Sequence, residues 1–265
     1  MNPADLEFVC ALARVRSGLV LTGERGFFVE TRLGPVARRE GASSVSELIS
    51  RVKAGGDERL MRVVVEALLI QETSFFRDRA AFRALQDETL SILAQGGGPV
   101  RVWSAGCAHG QEPYALAMLA DAAPFALDLD IFASDLSTAA LEKAESGLYT
   151  HFEVQRGLPI RSLLRYFEPV DDAWRIAPEM RAKIRWARLN LVDPFSTSEP
   201  FHVILCRHVL DTFDPAVRAK TLERLAASLT PGGWLLLGVD EQPPQGFTAV
   251  GPGLYRRRAV ISAAA

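Results

Sequence analysis

The chain has 265 residues, 48% of them apolar, which is enough for a sizeable core and for one large domain with a smaller one. Its formal net charge of −2 argues against a dedicated nucleic-acid-binding protein, although a local basic face is compatible with it. Three scattered cysteines, Cys10, Cys107 and Cys206, exclude a disulfide framework and a zinc cluster, and they indicate a reducing compartment.

The first 95 residues predict an all-helical domain. Apolar residues recur every three or four positions across residues 3–94, and no strand-like alternation of comparable length interrupts them. The acidic residues Asp5 and Glu7 at the start are unlike a signal peptide, and the chain has no long uninterrupted apolar segment. We therefore expect a cytoplasmic protein that does not insert directly into a membrane.

A glycine-rich breaker at residues 96–99 predicts the end of the helical domain (1–95) and the start of a second domain, 96–265. Apolar, strand-like segments alternate there with helical patterns, which is typical of a doubly wound α/β sheet. The alternation loosens at about residues 150–185, where we expect a small inserted subdomain. The predicted strands begin at Val100, Leu129, Ile184, Phe201 and Trp234.

Residues 100–118 place an apolar strand, a turn of small residues and an apolar helix in immediate succession. Gly106 and Gly110 allow the backbone of the turn to approach a ligand closely. Ligands of α/β sheets bind at the carboxyl end of such a strand, so the pattern predicts a site for a nucleotide or nucleoside cofactor. The turn does not follow the G-x-G-x-x-G pattern, and a purely structural role is also compatible with it.

Two acidic residues fall near this predicted site. Asp135 ends the second predicted strand, where a carboxylate accepts hydrogen bonds from ribose hydroxyls, although the same residue would also cap the following helix. Glu112 lies just inside the helix after the turn. Two acids disfavour a phosphate-rich ligand and favour a hydroxylated or cationic one. S-adenosylmethionine, with a ribose, a sulfonium and no phosphate, fits these charges better than a nicotinamide dinucleotide.

Several ordered segments, spread over nearly the whole chain, are informative together. They are ETSFFRD at 72–78, WSAGCAHGQEPYA at 103–115, ASDLS to GLY at 133–149, FEVQRGLP at 152–159, NL at 190–191, CRHV at 206–209, and LTPGGWLLLG at 229–238 followed by Glu241. In this order they resemble the CheR-type family of chemoreceptor glutamate methyltransferases, and the stretch GLVLTGERGFFVETRL at 18–33 resembles the helical domain of that family. The resemblance implies an N-terminal helical domain joined to a Rossmann-like, S-adenosylmethionine-binding α/β domain with a small inserted β subdomain.

The same resemblance implies which residues bind the cofactor. In the family an Asn-x-Thr-x-x-x-Arg segment contacts it; Thr73 and Arg77 match that segment, and Gln71 replaces the Asn. Glu112 matches the acid near the methionine amino group, and Asp135 matches the ribose acid. The other residues that we predict at the cofactor are Gly106, Arg207 and His208, together with Asn190 and Leu191 beside the adenine.

The largest departure from the family pattern lies in CRHVLDTF at 206–213. Where the family has Asn, Ile and Tyr, this chain has His208, Asp211 and Thr212. We expect Thr212 at the reacting centre, where it keeps the hydroxyl of the usual Tyr on a shorter side chain. If that hydroxyl positions the acceptor directly, activity falls; if it only lines the pocket, a water fills the space and the reaction persists.

The reaction implied by the resemblance needs no general base. The side chain of a free glutamate has a pKa of about 4.3, so it is ionised near neutral pH. The work of the enzyme is then to align the carboxylate with the methyl group and to remove water. Arg77 is the residue that we predict to orient the carboxylate, because its guanidinium fork fits one. The alternative role for Arg77 is to tether the two domains.

The resemblance also implies a partner and an activity. In the family the N-terminal helices present a basic face to the acidic methylation helices of a chemoreceptor's cytoplasmic domain, whose glutamates are esterified with release of S-adenosylhomocysteine. Two alternatives stay open, a cofactor-binding paralogue that acts as a sensor or scaffold, and a methyltransferase with a different acceptor. The basic residues of these helices include Arg25, Arg32, Arg38, Arg39, Arg51 and Lys53; acidic residues are interspersed, so a solvated surface also fits.

Overall fold

The computed structural model describes residues 1–258, and their contacts form two compact units. One comprises Met1–Ile70 and Asp211–Arg218 and is named the helical unit below. The other, the sheet unit, comprises Gln71–Leu210 and the chain from Ala219 onward. The division falls at residue 70, and not at the predicted residue 95, because the helix after residue 70 buries side chains such as Phe82 in the core of the sheet unit.

Four helices form most of the helical unit. The first follows Asn2, whose side chain accepts a hydrogen bond from the amide of Asp5 at 2.8 Å, and it ends at Gly18, which has a φ of 77°. Apolar residues at helical spacing, such as Leu60 and Val64 in the fourth helix, are buried in a shared core. The helices are α1 Pro3–Ser17, α2 Arg25–Arg39, α3 Val45–Ala54 and α4 Glu58–Leu68.

The segment Asp211–Arg218 belongs to the helical unit although it comes from the second half of the chain. Its backbone pairs with the residues just after α1. The amide of Val20 donates to the carbonyl of Thr212 at 2.8 Å, and the amide of Asp214 donates to the carbonyl of Gly18 at 2.9 Å. Local helical spacing could not predict this segment as part of the unit, because the sheet unit separates it from α1 in the sequence.

A seven-stranded sheet forms the centre of the sheet unit and confirms the doubly wound α/β fold. The strands of the unit are β1 Val100–Ala105, β2 Leu129–Asp135, β3 Leu148–Thr150, β4 Phe167–Val170, β5 Ala173–Ile176, β6 Ile184–Arg188, β7 Phe201–Leu205, β8 Leu229–Leu236, β9 Phe247–Gly251 and β10 Leu254–Arg257. The large sheet has the order β6-β2-β1-β7-β8-β10-β9. Neighbouring strands from β6 to β8 are parallel, whereas β10 is antiparallel to β8 and β9.

The strand order of this sheet reverses between β1 and β7. The chain runs outward from β1 through β2 to β6 on one side, and from β7 to β8 on the other. Ligands of doubly wound sheets bind at the carboxyl ends of the strands at such a point. The turn after β1 and the residues after β7 therefore lie at the predicted ligand-binding edge.

Helices flank the large sheet within the sheet unit. Fully buried aromatic side chains, including Trp103 and Tyr114, fill its core. No helix within residues 1–258 combines the length and the apolar character needed to cross a membrane. The helices are α5 Arg79–Leu85, α6 Ser91–Ala94, α7 Gln111–Ala122, α8 Thr138–Ser146, α9 His151–Gln155, α10 Ile160–Tyr166, α11 Pro178–Arg181 and α12 Pro215–Ala227, the last of which begins in the returning segment of the helical unit.

The inserted subdomain is a three-stranded antiparallel sheet with the order β3-β5-β4. An aromatic cluster anchors it to the segment that precedes α5. The ring of Phe75 lies edge-on to the rings of Tyr149 and Phe167, with centroid separations of 5.1 and 5.6 Å. The insertion thus shares the core of the sheet unit.

The hairpin of β9 and β10 is absent from the prediction. β9 is an edge strand whose residues are mostly exposed, so it lacks the apolar alternation that marks a half-buried strand. The turn that closes the hairpin contains Gly253, at a φ of 67°. This hairpin completes the antiparallel edge of the sheet.

Candidate active site

The turn between β1 and α7 has a backbone that requires glycine at two positions. Gly106 and Gly110 have φ values of 75° and 86°. A Cβ on Gly106 would lie 2.6 Å from Cγ2 of Val209, and one on Gly110 would lie 2.8 Å from the Cβ of Ala144. The amide of Gly106 donates to the carbonyl of Ser134 at 2.8 Å, which fixes the turn against the end of β2.

Asp135 lies at the end of β2 and is only 8% exposed. Its Oδ2 accepts a hydrogen bond from the amide of Ala108 at 2.8 Å, and its Oδ1 accepts one from the amide of Ser137 at 2.9 Å. Asp135 is not the cap of α8, because the Ser137 hydroxyl takes that role and accepts from the amide of Ala140. The carboxylate therefore joins the glycine turn to the strand end, and contact with a ribose stays a prediction.

Glu112 and Arg207 form a buried ion pair across the carboxyl ends of β1 and β7. Nη1 of Arg207 donates to Oε2 of Glu112 at 2.9 Å, and the Ser104 hydroxyl donates to Oε1 at 3.0 Å. The Arg207 side chain is only 2% exposed, and its guanidinium lies over the ring of Phe82. The charge of Glu112 is thus balanced within the protein, which the sequence did not indicate.

Asp78 is a second carboxylate on Arg207, and sequence reasoning did not single it out. Its Oδ2 accepts from Nη2 of Arg207 at 2.7 Å and lies 2.8 Å from Nε2 of His208. Burial raises the pKa of Asp78, but the hydrogen bond with His208 and the charge of Arg207 together lower it by more, so the pKa lies below its ordinary value. Asp78 is therefore an anion at neutral pH.

His208 replaces the Asn of the family and has a φ of 57°. This left-handed conformation is one that Asn, Asp and His adopt more readily than other residues with a side chain. The substitution is thus compatible with the backbone, and it adds the ring contact with Asp78. Asp78 itself also has a φ of 57°, so both partners of this contact occupy an uncommon backbone conformation.

Glu241 is another site residue whose role the sequence did not indicate. It is 4% exposed, and its Oε2 accepts hydrogen bonds from the amides of His208 at 3.1 Å and Gly238 at 2.6 Å. The carboxylate connects the segments that follow β7 and β8. Its Oε1 is buried and has no partner within residues 1–258.

The segment before α5 carries three predicted cofactor residues, Gln71, Thr73 and Arg77, all of them half-buried. Nε2 of Gln71 is buried without a hydrogen-bond partner among the described residues. Nη1 of Arg77 donates to the carbonyl of Glu72 at 2.9 Å, and the carbonyl of Arg77 accepts from Nη2 of Arg207 at 2.8 Å. The structure thus fixes the backbone of Arg77 beside the Arg207 cluster, which is Arg207 with Glu112, Asp78 and His208.

Asn190 and Leu191 follow β6, next to the strand that ends in Asp135. The amide of Leu189 donates to the carbonyl of Asp135 at 3.0 Å, which holds the two strand ends together. Nδ2 of Asn190 donates to Asp193 at 3.0 Å, and Leu191 is buried. Both residues lie at the carboxyl edge of the sheet, and their position beside an adenine stays a prediction.

Thr212 belongs to the other compact unit. It is half-buried, ends a short 3-10 turn at Leu210–Thr212, and lines a cavity within the helical unit, whereas the neighbouring Asp211 is exposed. Every other predicted site residue lies in the sheet unit. The proposed role of Thr212 at the reacting centre stays a prediction.

Two titratable groups in the glycine turn are uncharged at neutral pH. Burial, with the nearby Asp135 and Glu112, raises the pKa of the Cys107 thiol well above its ordinary value. Burial and the charge of Lys143 lower the pKa of His109. The turn thus presents neither a thiolate nucleophile nor an imidazolium acid.

This arrangement fits a cationic nucleoside better than a phosphate-rich cofactor. Asp135 places a carboxylate at the strand end beside the glycine turn. Arg207 is already paired with two carboxylates and offers no unbalanced charge to a phosphate. The buried amide of Gln71 is a donor that a ligand acceptor would satisfy.

Comparison with known proteins agrees with these features. Residues 71–250 match the family described as "CheR methyltransferase, SAM binding domain". A chemotaxis protein methyltransferase 1 of Pseudomonas aeruginosa is 34% identical over 249 residues, covering 90% of both chains. The protein of that name in Vibrio cholerae is 33% identical, covering 88% of this chain and 86% of its own, and an Escherichia coli chemotaxis protein methyltransferase is 31% identical, covering 91% and 85%.

The matched region begins at the first residue of the sheet unit and includes the glycine turn, Asp135 and the Arg207 cluster. The chain therefore belongs to the CheR methyltransferase family, and the cofactor of its sheet unit is S-adenosylmethionine.

Proposed function

We propose that the protein transfers a methyl group to glutamate side chains in the cytoplasmic helices of a chemoreceptor, in chemotaxis-type signalling. Its family and the names of its relatives, which are chemotaxis protein methyltransferases, support this function. The product on the receptor is a glutamate methyl ester. Each ester removes one negative charge from a receptor helix, and this loss of charge would tune the signalling of the receptor.

The observation that carries this proposal is the unpaired charge of Arg77, which lies beside the Arg207 cluster. Arg207 is held by Glu112 and Asp78, whereas Arg77 forms no ion pair within residues 1–258. The backbone of Arg77 is fixed by Arg207, so its guanidinium extends from a rigid base. Such a guanidinium suits a carboxylate, which is the group that a glutamate acceptor presents.

The reaction requires the protein to align the acceptor with the methyl group, and it requires no proton transfer. S-adenosylmethionine, when bound, supplies a methyl group on a sulfonium, and the second product is S-adenosylhomocysteine. The acceptor carboxylate is ionised near neutral pH, since the pKa of a free glutamate is about 4.3. Arg77 would orient that carboxylate, while the buried Arg207 cluster keeps the surrounding backbone in place.

The helical unit offers a basic surface to an acidic partner. Arg25, Arg32 and Arg39 recur every seven residues along α2, so they share one face of the helix, and all three are exposed. Of these three, Arg39 also lies 3.7 Å from a carboxylate oxygen of Glu40. Arg51 and Lys53 of α3 are paired with Glu47 and Asp5. We propose that this α2 stripe, defined by Arg25, Arg32 and Arg39, binds the acidic methylation helices of the receptor.

Calorimetric titration with S-adenosylmethionine and S-adenosylhomocysteine, followed by radiolabelled methyl transfer to receptor-containing membranes, tests the proposal. We expect binding, and base-labile label on the receptor. Gly106→Ala should raise the Kd for the cofactor at least about tenfold, because strain at such a position costs about 1–3 kcal/mol and the Cβ would also clash with Val209. The matched control is Gly97→Ala, whose φ of 69° is similar but whose Cβ would meet nothing within 4 Å.

A second candidate function is a cofactor-binding sensor or scaffold without transferase activity. The replacement of the family's Ile and Tyr by Asp211 and Thr212 favours it. Cofactor binding without transfer to any receptor would support this candidate and contradict the proposed activity. No binding to the wild-type protein would contradict both.

A further inference from the structure

The helical unit contains a cavity of about 540 Å³ that none of the cofactor residues lines. Its wall is largely apolar and unusually exposed: Phe27 is 73% exposed and Ile70 is 51% exposed. Side chains of this kind gain free energy when a partner covers them. The cavity residues used below are Val20, Glu24, Phe27, Ile70, Asp211 and Thr212.

Two carboxylates at this cavity have no cation. Glu24 and Asp211 are both exposed, and neither side chain forms a hydrogen bond or an ion pair within the part of the chain that the structure describes. Glu24 precedes α2 without capping it, so the helix does not use this carboxylate. A cavity with an apolar wall and two unbalanced negative charges is complementary to a group that is apolar along its length and positive at its end.

Two residues at this cavity depart from the family resemblance described above. Asp211 stands where the family has Ile, and Thr212 stands where it has Tyr. The first departure adds a carboxylate, and the second is a shorter side chain.

We propose that this cavity binds an arginine or lysine side chain of the acceptor protein. The methylene stem of such a side chain would lie on Val20 and Ile70, as long basic side chains do on apolar surfaces. Its cation would meet Glu24 and Asp211, and the exposed ring of Phe27 adds a cation–π contact. The same two acids would repel a glutamate side chain from this cavity.

The identity of the protein that carries this basic residue rests on the proposed function, whereas binding of the side chain does not. The test therefore uses neither cofactor nor receptor, and its result is independent of methyl transfer.

The experiment is a titration of the full-length, methyl-labelled protein followed by NMR. The probes are N-acetyl-arginine amide, N-acetyl-norleucine amide, which has an unbranched stem without the charge, and N-acetyl-glutamate amide. We expect saturable shifts at the methyl groups of Val20, Ile70 and Thr212. Arginine should bind roughly fivefold to tenfold more tightly than norleucine, since exposed ion pairs and a cation–π contact each add a small favourable interaction.

The double variant Glu24→Gln/Asp211→Asn keeps the shape of the cavity and removes both charges. It should bind arginine and norleucine about equally, whereas the control Glu7→Gln, at an exposed acid elsewhere in the helical unit, should keep the preference for arginine. Equal binding of arginine and norleucine to the wild type, preferred binding of glutamate, or a preference that survives in the double variant would each overturn the proposal. So would the absence of saturable shifts at the solubility limit of the arginine probe.

Discussion

Arg207 in the sheet unit and Arg32 in the helical unit carry the same guanidinium, but the two units surround it differently. The Arg207 side chain is 2% exposed and contacts the carboxylates of Asp78 and Glu112. Arg32 is exposed, and its guanidinium lies over the ring of Phe28, 5.3 Å from the centroid. A buried arginine between two acids holds a backbone in place, whereas an exposed one is open to a partner. The comparison separates arginines that build the site from arginines that recognise an acceptor.

Arg207→Met should give the largest effect, because it removes the buried cation that Glu112 contacts and one of the positive charges beside Asp78. We expect the free energy of unfolding to fall by about 3–5 kcal/mol, measured by urea denaturation. The control is Arg14→Met, which removes the pair with Asp214; the Arg14 side chain is 61% exposed, so its loss should change stability by no more than about 1 kcal/mol. Equal effects of the two variants would remove the distinction between buried and exposed arginines.

Arg77→Ala should lower kcat/KM for receptor methylation by about 10- to 100-fold, since a hydrogen bond to a charged group contributes about 1.5–3 kcal/mol. Arg77→Lys should recover part of this loss, because it keeps the charge without the fork. Arg79→Ala, at an exposed neighbour whose Nη2 donates to the carbonyl of Gly157, is the control and should leave the rate near that of the wild type. A similar loss for both alanine variants would argue against Arg77 as the acceptor contact.

Reversal of charge on the α2 stripe should weaken binding of the receptor and leave cofactor binding unchanged. Arg25→Glu/Arg32→Glu should raise KM for the receptor by roughly 2- to 10-fold at low salt, and the effect should shrink as salt screens the charges. The Kd for S-adenosylmethionine should not change. Arg62→Glu, an exposed arginine on α4, is the matched control. An equal rise in KM for this control would show that net charge, and not the stripe, attracts the receptor.

The smallest effect should appear in the acid dependence of stability. The folded pKa of Asp78 lies below its ordinary value of about 3.9, so the ionised carboxylate stabilises the fold above that value. This contribution is lost as the pH falls through the lower, folded pKa. Asp78→Asn should therefore reduce the pH dependence of the urea midpoint over this acidic range.

Glu47 in the helical unit provides the comparison for Asp78. Hydrogen bonds from the Ser43 hydroxyl and amide, and then from Arg51, lower the pKa of Glu47 to about 2. Its pair with Arg51 is exposed, so high salt should remove the part of the Glu47 pH dependence that comes from the Arg51 charge, whereas the Asp78 contribution should persist. Equal salt sensitivity of the two would contradict the burial of the Arg207 cluster.

Local patterns in the sequence were sufficient for the parallel strands of the sheet and for the turn at its edge, although not for the β9–β10 hairpin. The β1 strand, Gly106 and the strand that ends in Asp135 follow from apolar runs and from the special backbone of glycine, which residues close in sequence determine. The cap of α8 was ambiguous, because Asp135 and Ser137 both precede the helix and the two are chemically suited to that role. Only the hydrogen bonds in the structure show that Ser137, and not Asp135, caps the helix.

Long-range contacts explain what the sequence left out. Asp78 and His208 are 130 positions apart, and their contact depends on an uncommon φ at both residues, which no local pattern predicts. Glu241 accepts hydrogen bonds from two backbone amides. Because backbone amides are common to nearly all residues, no sequence pattern identifies these two donors. Thr212 was assigned from its family position, and no sequence pattern indicated that its segment joins the helical unit.

The return of Asp211–Arg218 to the helical unit has a consequence for synthesis on the ribosome. About 140 residues separate this segment from Ile70, so at roughly 5–20 residues per second the helices wait about 7–28 s for the residues that pair with the end of α1. During that interval the exposed Phe27 and Ile70 side chains have no neighbours from the returning segment. The nascent helical unit is therefore the part of the chain that we expect a chaperone to bind first.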